Sequence, residues 1–125
     1  MNRGGSKQNY ATPADFIDAV ERRFGKLTFD LAADETNTQA AQFYSREQDS
    51  FTQPWHKLQG LLWLNPPFNR IEPWAMKCAS ESALGAPPIL FLTPASVDSN
   101  WFKQWVQPGA HVIALNGRLC FDGKQ

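Results

Sequence analysis

Gly60-Leu61-Leu62-Trp63-Leu64-Asn65-Pro66-Pro67-Phe68 is the stretch that decides the fold. Its first half is a continuous apolar run, the pattern of a strand buried on both faces. Pro66 and Pro67 halt that strand, because two prolines remove two backbone donors and cannot extend a ladder. Downstream, Ile71, Trp74, Ala75, Cys78 and Ala79 share one helical stripe, which predicts a helix over 71–84. Pro73 is tolerated in its first turn and Gly85 ends it. Ile89–Leu92 reads as a further buried strand, closed by Thr93-Pro94. Strand, helix and strand in this order make a βαβ unit, which requires parallel pairing.

The same grammar extends in both directions. Upstream, Thr12 is a good N-cap, Pro13 suits the first helical position and Asp15 the first turn. Phe16, Ile17, Val20 and Phe24 then recur at helical spacing up to Gly25, predicting a helix over 13–24. Leu27–Leu31 alternates like a strand that opens into a loop at 32–37, and a short helix is expected around Thr38–Phe43. Further on, Asp98 can cap a helix through Val106 whose apolar side holds Trp101, Phe102 and Trp105. His111–Leu115 and Leu119–Phe121 read as the last strands. Strands alternating with helices indicate an α/β fold with a mainly parallel sheet.

At 125 residues the chain allows one domain: a polar, mobile arm at 1–9 and a folded unit at 10–125. An apolar content of 42% with 13% aromatics excludes a disordered polypeptide. Twelve Lys and Arg balance twelve Asp and Glu. That excludes a general polycationic glue for nucleic acid, but not an enzyme making a few local phosphate contacts. Two Cys and two His scattered along the chain do not form a disulfide scaffold or a zinc-ligand cluster, so no metal is expected. Residues 1–10 hold no apolar segment, so no signal peptide is expected, and no apolar run approaches the ~20 residues that span a bilayer. A cytoplasmic protein without a membrane partner is expected.

In open α/β sheets ligands bind outside the carboxyl ends of the strands. This rule selects Asp30 with the 32–37 loop, Asn65–Phe68, Thr93–Ser96 and Asn116–Arg118. The second of these has a definite chemistry. An amino group conjugated to an aromatic ring is a poor nucleophile, because its lone pair is delocalised. The Asn65 side-chain oxygen and the Pro66 carbonyl could accept its two N–H bonds and stabilise the charge that develops as the nitrogen attacks. Phe68 would stack on the ring carrying the amine. Amino-directed methyl transfer is the reaction that needs this set.

The order of these elements resembles the phage-type DNA N-6-adenine methyltransferases, the phage Dam family. The resemblance is carried by Tyr10-Ala11-Thr12-Pro13, Phe24-Gly25, Phe29-Asp30-Leu31-Ala32-Ala33, Asn37, Asp49, Trp55, Asn65-Pro66-Pro67-Phe68, Pro94 and Gly117-Arg118-Leu119-Cys120-Phe121. It implies S-adenosylmethionine as methyl donor, a Rossmann-like methyltransferase fold and adenine in DNA as acceptor. By matching positions, Thr12 and Pro13 lie by the methionine end of the donor. The segment Phe29–Asp34, with Ala32 in it, takes the place of the first donor-binding loop, Asp30 is expected as its polar contact to the donor, and Asp49 contacts the donor's adenine amine. Asn65, Pro66, Pro67 and Phe68 are the catalytic tetrapeptide.

Two departures from that pattern stand out. The donor loop Ala32-Ala33-Asp34 lacks the glycines that let a backbone approach its ligand. The C-terminus is short, which leads us to expect Leu119–Phe121 as an uncovered sheet edge and a route to self-association. Reaching the N6 of adenine requires the base to leave the stack, and Arg70, Lys77 and Arg118 are the candidate phosphate contacts. Two other readings stay open: an amino methyltransferase acting on RNA or protein glutamine, and a truncated, inactive prophage remnant.

Overall fold

The computed structural model describes residues 14–66, 70–94, 100, 102–106, 109–115 and 118–122; at 94, 106, 111–115 and 118–122 it describes the backbone path. The expected arm at 1–9, with Thr12, Pro13, Pro67, Phe68, Asp98 and Trp101, lies outside these residues.

The first helix, α1 (Ala14–Phe24), buries Ile17 and Val20, an i, i+3 spacing that keeps one stripe on the sheet. It stops at Gly25, whose φ of +113° suits glycine and whose N–H donates to the Glu21 carbonyl at 2.9 Å. The six strands are β1 (Phe29–Asp30), β2 (Gln42–Phe43), β3 (Leu62–Leu64), β4 (Ile89–Pro94), β5 (His111–Leu115) and β6 (Arg118–Asp122), ordered β2-β1-β3-β4-β6-β5. The pairs β2·β1, β1·β3 and β3·β4 are parallel. The helix α2 (Ile71–Ala83) crosses from β3 to β4.

Why β3 and the first four residues of β4 are apolar is plain from the packing. Side chains alternate faces along a strand, and here both faces are covered. Leu62, Leu64, Ile89 and Phe91 join Ile71 and Ala75 of α2 in one core, together with Phe29, Leu31, Trp55 and Phe102. Trp63, Leu90 and Leu92 join Ile17 and Val20 of α1 in a second core on the opposite face. Each such fully buried large side chain contributes roughly 1.5–3 kcal/mol by leaving water. The result is a sheet whose strands β2, β1, β3 and β4 run parallel between helices, the mainly parallel α/β arrangement the sequence predicts.

Three expectations need correction. The segment expected to form a helix around Thr38–Phe43 instead ends in strand β2, paired Phe29↔Gln42 and Asp30↔Phe43. A helix of so few residues is marginal alone, and hydrogen bonding to β1 wins. The segment leading to Val106 closes as a π-helical turn at Phe102–Val106 rather than an α-helix; Phe102 is buried in the α2-side core and Trp105 donates its Nε1–H to Glu72 Oε2 at 3.3 Å. Finally, Leu119–Phe121 is not an edge. β6 is antiparallel to β4 on one side and to β5 on the other, with Phe91↔Phe121 and Val112↔Phe121 in register. Among the described strands the borders are β2 and β5.

Candidate active site

The chain leaves β1 to one side to form β2, whereas β3 lies on the other side of β1 and leads away to β4. This is a topological switch point, where two loops diverge from neighbouring strand ends and open a crevice between them. The loops involved are those after Asp30 and after Leu64. Their juxtaposition is held by the ladder Phe29↔Leu62 and Asp30↔Trp63, extended by Leu31 N–H donating to the Trp63 carbonyl at 2.9 Å. The two segments singled out in the sequence, Asp30–Ala33 and Asn65-Pro66, therefore meet at one end of the sheet. Asn65 is half-buried and Pro66 buried there.

Asp30 is 3% exposed. Its Oδ1 accepts from the Ala32 N–H at 3.2 Å and its Oδ2 from the Gln39 N–H at 2.9 Å. Burial raises its pKa from 3.8 to about 6, although the two amide hydrogen bonds pull it down. Around it the loop is closed by backbone bonds from Tyr44 N–H to the Asp30 carbonyl (3.0 Å) and from Ala33 N–H to the Tyr44 carbonyl (3.1 Å). Farther out, Asp34 Oδ1 accepts from the Thr36 hydroxyl and N–H and from the Asn37 N–H, which holds its carboxyl below the ordinary value. Ala32 and Ala33 are half-buried where the loop leaves β1.

The chain between β2 and β3 descends across α2 in three short 3₁₀ turns, at Arg46–Gln48, Ser50–Thr52 and Trp55–Lys57. Asp49 is exposed between the first two in the left-handed conformation (φ +52°), and its carboxylate accepts from the Phe51 N–H at 3.3 Å. Beside it, Phe51 packs on Trp74 with ring centroids 4.2 Å apart, and Trp74 in turn stacks on buried Trp55 at 6.4 Å. Trp55 Nε1–H donates to the Ser50 carbonyl and hydroxyl, both at 3.1 Å. Sequence reading passed over this aromatic column, whose members lie far apart in the chain.

The three candidate phosphate contacts part company. Arg70 is exposed immediately before α2, so it stands at the end of the sheet where β3 leads out. Arg118 pairs with Pro94, which places it at the carboxyl end of β4. Lys77 is occupied otherwise. Its ammonium donates to the Gln53 carbonyl and to Glu81 Oε2, both at 2.7 Å, and lies 5.4 Å from the centroid of the Trp55 ring. Glu81 is itself buried and accepts from the His56 N–H and contacts the His56 ring, again at 2.7 Å. Burial pushes the Glu81 carboxyl up, but the bonds from Lys77 and His56 prevail and hold it below the ordinary value. Lys77 thus ties the loop to α2; the i, i+4 spacing of Lys77 and Glu81 was the available signal.

Among the described residues no cluster of His, Cys, Asp and Glu could hold a metal ion, and no helix is long and apolar enough to cross a membrane. Residues 3–124 match the family described as DNA N-6-adenine-methyltransferase (Dam). A DNA N-6-adenine-methyltransferase of Escherichia phage T1 is 34% identical over 113 residues, which is 90% of this chain and 47% of the relative. One of Haemophilus phage HP1 (strain HP1c1) is 29% identical over 118 residues, 92% of this chain and 66% of the relative. The chain thus spans about half the length of the first relative and under two-thirds of the second.

Proposed function

Because the chain belongs to the DNA N-6-adenine-methyltransferase (Dam) family, we propose that it transfers a methyl group from S-adenosylmethionine to the N6 amine of adenine in DNA. The observation that carries this reading is the switch point, where the Asp30–Ala33 loop and Asn65-Pro66 meet at the carboxyl ends of β1 and β3. The residues present fit the donor: the half-buried Ala32 and Ala33 put only small side chains where the loop leaves β1. The turn after β1 would hold the donor, with Asp49 toward its adenine and Thr12 and Pro13 toward its methionine end. When bound, S-adenosylmethionine supplies an electrophilic methyl carbon.

The protein's own residues act on the acceptor. The Asn65 side-chain oxygen and the Pro66 carbonyl accept the two N–H bonds of the adenine amine, turning its nitrogen lone pair out of conjugation with the ring. They would then stabilise the positive charge that grows on nitrogen as the new C–N bond replaces the donor's C–S bond; S-adenosylhomocysteine would leave, and one of the held protons would pass to solvent. Pro66 and Pro67 fix the backbone that presents these acceptors, and Phe68 stacks on the base. Arg70 and Arg118 supply phosphate contacts at the same end of the sheet. The purified chain should transfer labelled methyl groups to DNA, and hydrolysis of the product should release N6-methyladenine. Transfer to RNA or to protein but not to DNA would reject this reading.

A further inference from the structure

The donor loop has no glycine between Leu31 and Gln42, yet its chain must turn sharply away from β1 and return as β2. We propose that Asp30 is the positioning residue that replaces glycine here, shaping the donor turn through the backbone amides of Ala32 and Gln39. It does not act by touching the donor. This inference rests on the reading of the switch point as a methyl-donor site.

Three observations carry it. The carboxylate is 3% exposed, so it has almost no surface to offer a ligand. Its two oxygens are each engaged by a different end of the excursion, Ala32 as the chain leaves the strand and Gln39 as it comes back. The loop is pinned at the same place by the Tyr44 N–H on the Asp30 carbonyl and the Ala33 N–H on the Tyr44 carbonyl. A carboxylate accepting two amide hydrogen bonds makes charge-assisted contacts about twice as strong as neutral ones. Such a clamp sets the path of Leu31–Ala33 opposite the end of β3 without needing a left-handed residue.

The test separates a clamp from a direct contact. Gln39→Pro deletes the N–H that Asp30 Oδ2 accepts but leaves the carboxylate in place; Gln39→Ala keeps that N–H and serves as control. Binding of S-adenosylhomocysteine to the full chain is measured by calorimetry, and binding of an oligonucleotide by anisotropy. Asp30→Asn and Gln39→Pro should each weaken S-adenosylhomocysteine binding about tenfold, as expected for loss of a charged hydrogen bond, with oligonucleotide affinity unchanged. Gln39→Ala should bind like the wild type. Wild-type affinity in Gln39→Pro alongside a loss in Asp30→Asn would assign a direct contact and overturn the clamp. Wild-type affinity in both would also overturn it. Failure of the wild-type chain to bind S-adenosylhomocysteine would reject the donor site itself, and the clamp's role with it. Should Gln39→Pro fail to fold, amide exchange decides. Asp30→Asn must speed exchange at Ala32 and Gln39 while leaving Leu62–Leu64 unchanged, and unaltered exchange at both overturns the clamp.

Discussion

The N–H of Leu31 donates to the carbonyl of Trp63 at 2.9 Å, and this bond sets the end of β1 against the end of β3. One residue upstream of Leu31 lies the buried carboxylate of Asp30, and two residues downstream of Trp63 lies Asn65. The loops proposed for donor and acceptor are thus joined through the sheet's own ladder.

The buried position of Asp30 has a consequence for stability. Its pKa is raised from 3.8 to about 6, so between these values the folded protein binds a proton that the unfolded chain releases. Stability from this group is fully present below pH 3.8 and is lost as pH rises to about 6, amounting to about 3 kcal/mol at 1.36 kcal/mol per unit. Asp30→Asn should lack this slope. Urea unfolding of both chains at pH 4 and pH 7 would show the wild type losing about 2 kcal/mol relative to the variant; a constant difference would mean that Asp30 is not buried as described.

Glu81 behaves in the opposite sense. Its carboxyl is held below the ordinary value, so its contribution is present at neutral pH and is lost as pH falls through its folded pKa. Glu81→Gln removes the anion paired with the largely buried Lys77 ammonium, which keeps the Gln53 carbonyl, and should destabilise the chain by about 3 kcal/mol. Methyl transfer per folded molecule should be unchanged. Intact stability together with lost activity would move Glu81 and Lys77 into the active site.

Gly60 is a second sensitive point. Its φ is +94°, and an added Cβ would stand 2.6 Å from Thr28 Cγ2 and 2.9 Å from Thr28 Cβ. Thr28 cannot readily move aside, because its hydroxyl accepts from the Leu61 N–H at 3.0 Å and lies 2.9 Å from the Gln59 carbonyl. Gly60→Ala should cost at least about 1 kcal/mol from backbone strain, and more from the clash. Thermal melting checks this, and an unchanged midpoint would contradict the tight approach of β1 to the turn before β3.

What could be read from the sequence follows the reach of each signal. The helices α1 and α2 and the strands β3 and β4 fall where periodicity places them, because each buries a face that local spacing reveals. Asp30 and Asn65 were found together by a rule about strand ends, which needs only the alternation of elements. The placement of β6 between β4 and β5 depends on hydrogen bonds across many residues and leaves no local trace. The descent from Ser45 to Gln59 was equally hidden, since Trp55 is fixed by Ser50 and His56 by Glu81. Lys77 shows the same limit: its charge suggested DNA, but its partners Gln53 and Glu81 had already claimed it.

The most direct test of the account is the Asn65→Ala chain, measured for both donor binding and methyl transfer to DNA. Loss of one preorganised acceptor should lower turnover by ~10²–10³-fold, while affinity for S-adenosylhomocysteine stays within about twofold of wild type, a change worth well under 1 kcal/mol. Turnover near the wild-type rate would contradict the claim that Asn65 activates the amine. Equal losses in binding and turnover would make it a structural residue at the end of β3.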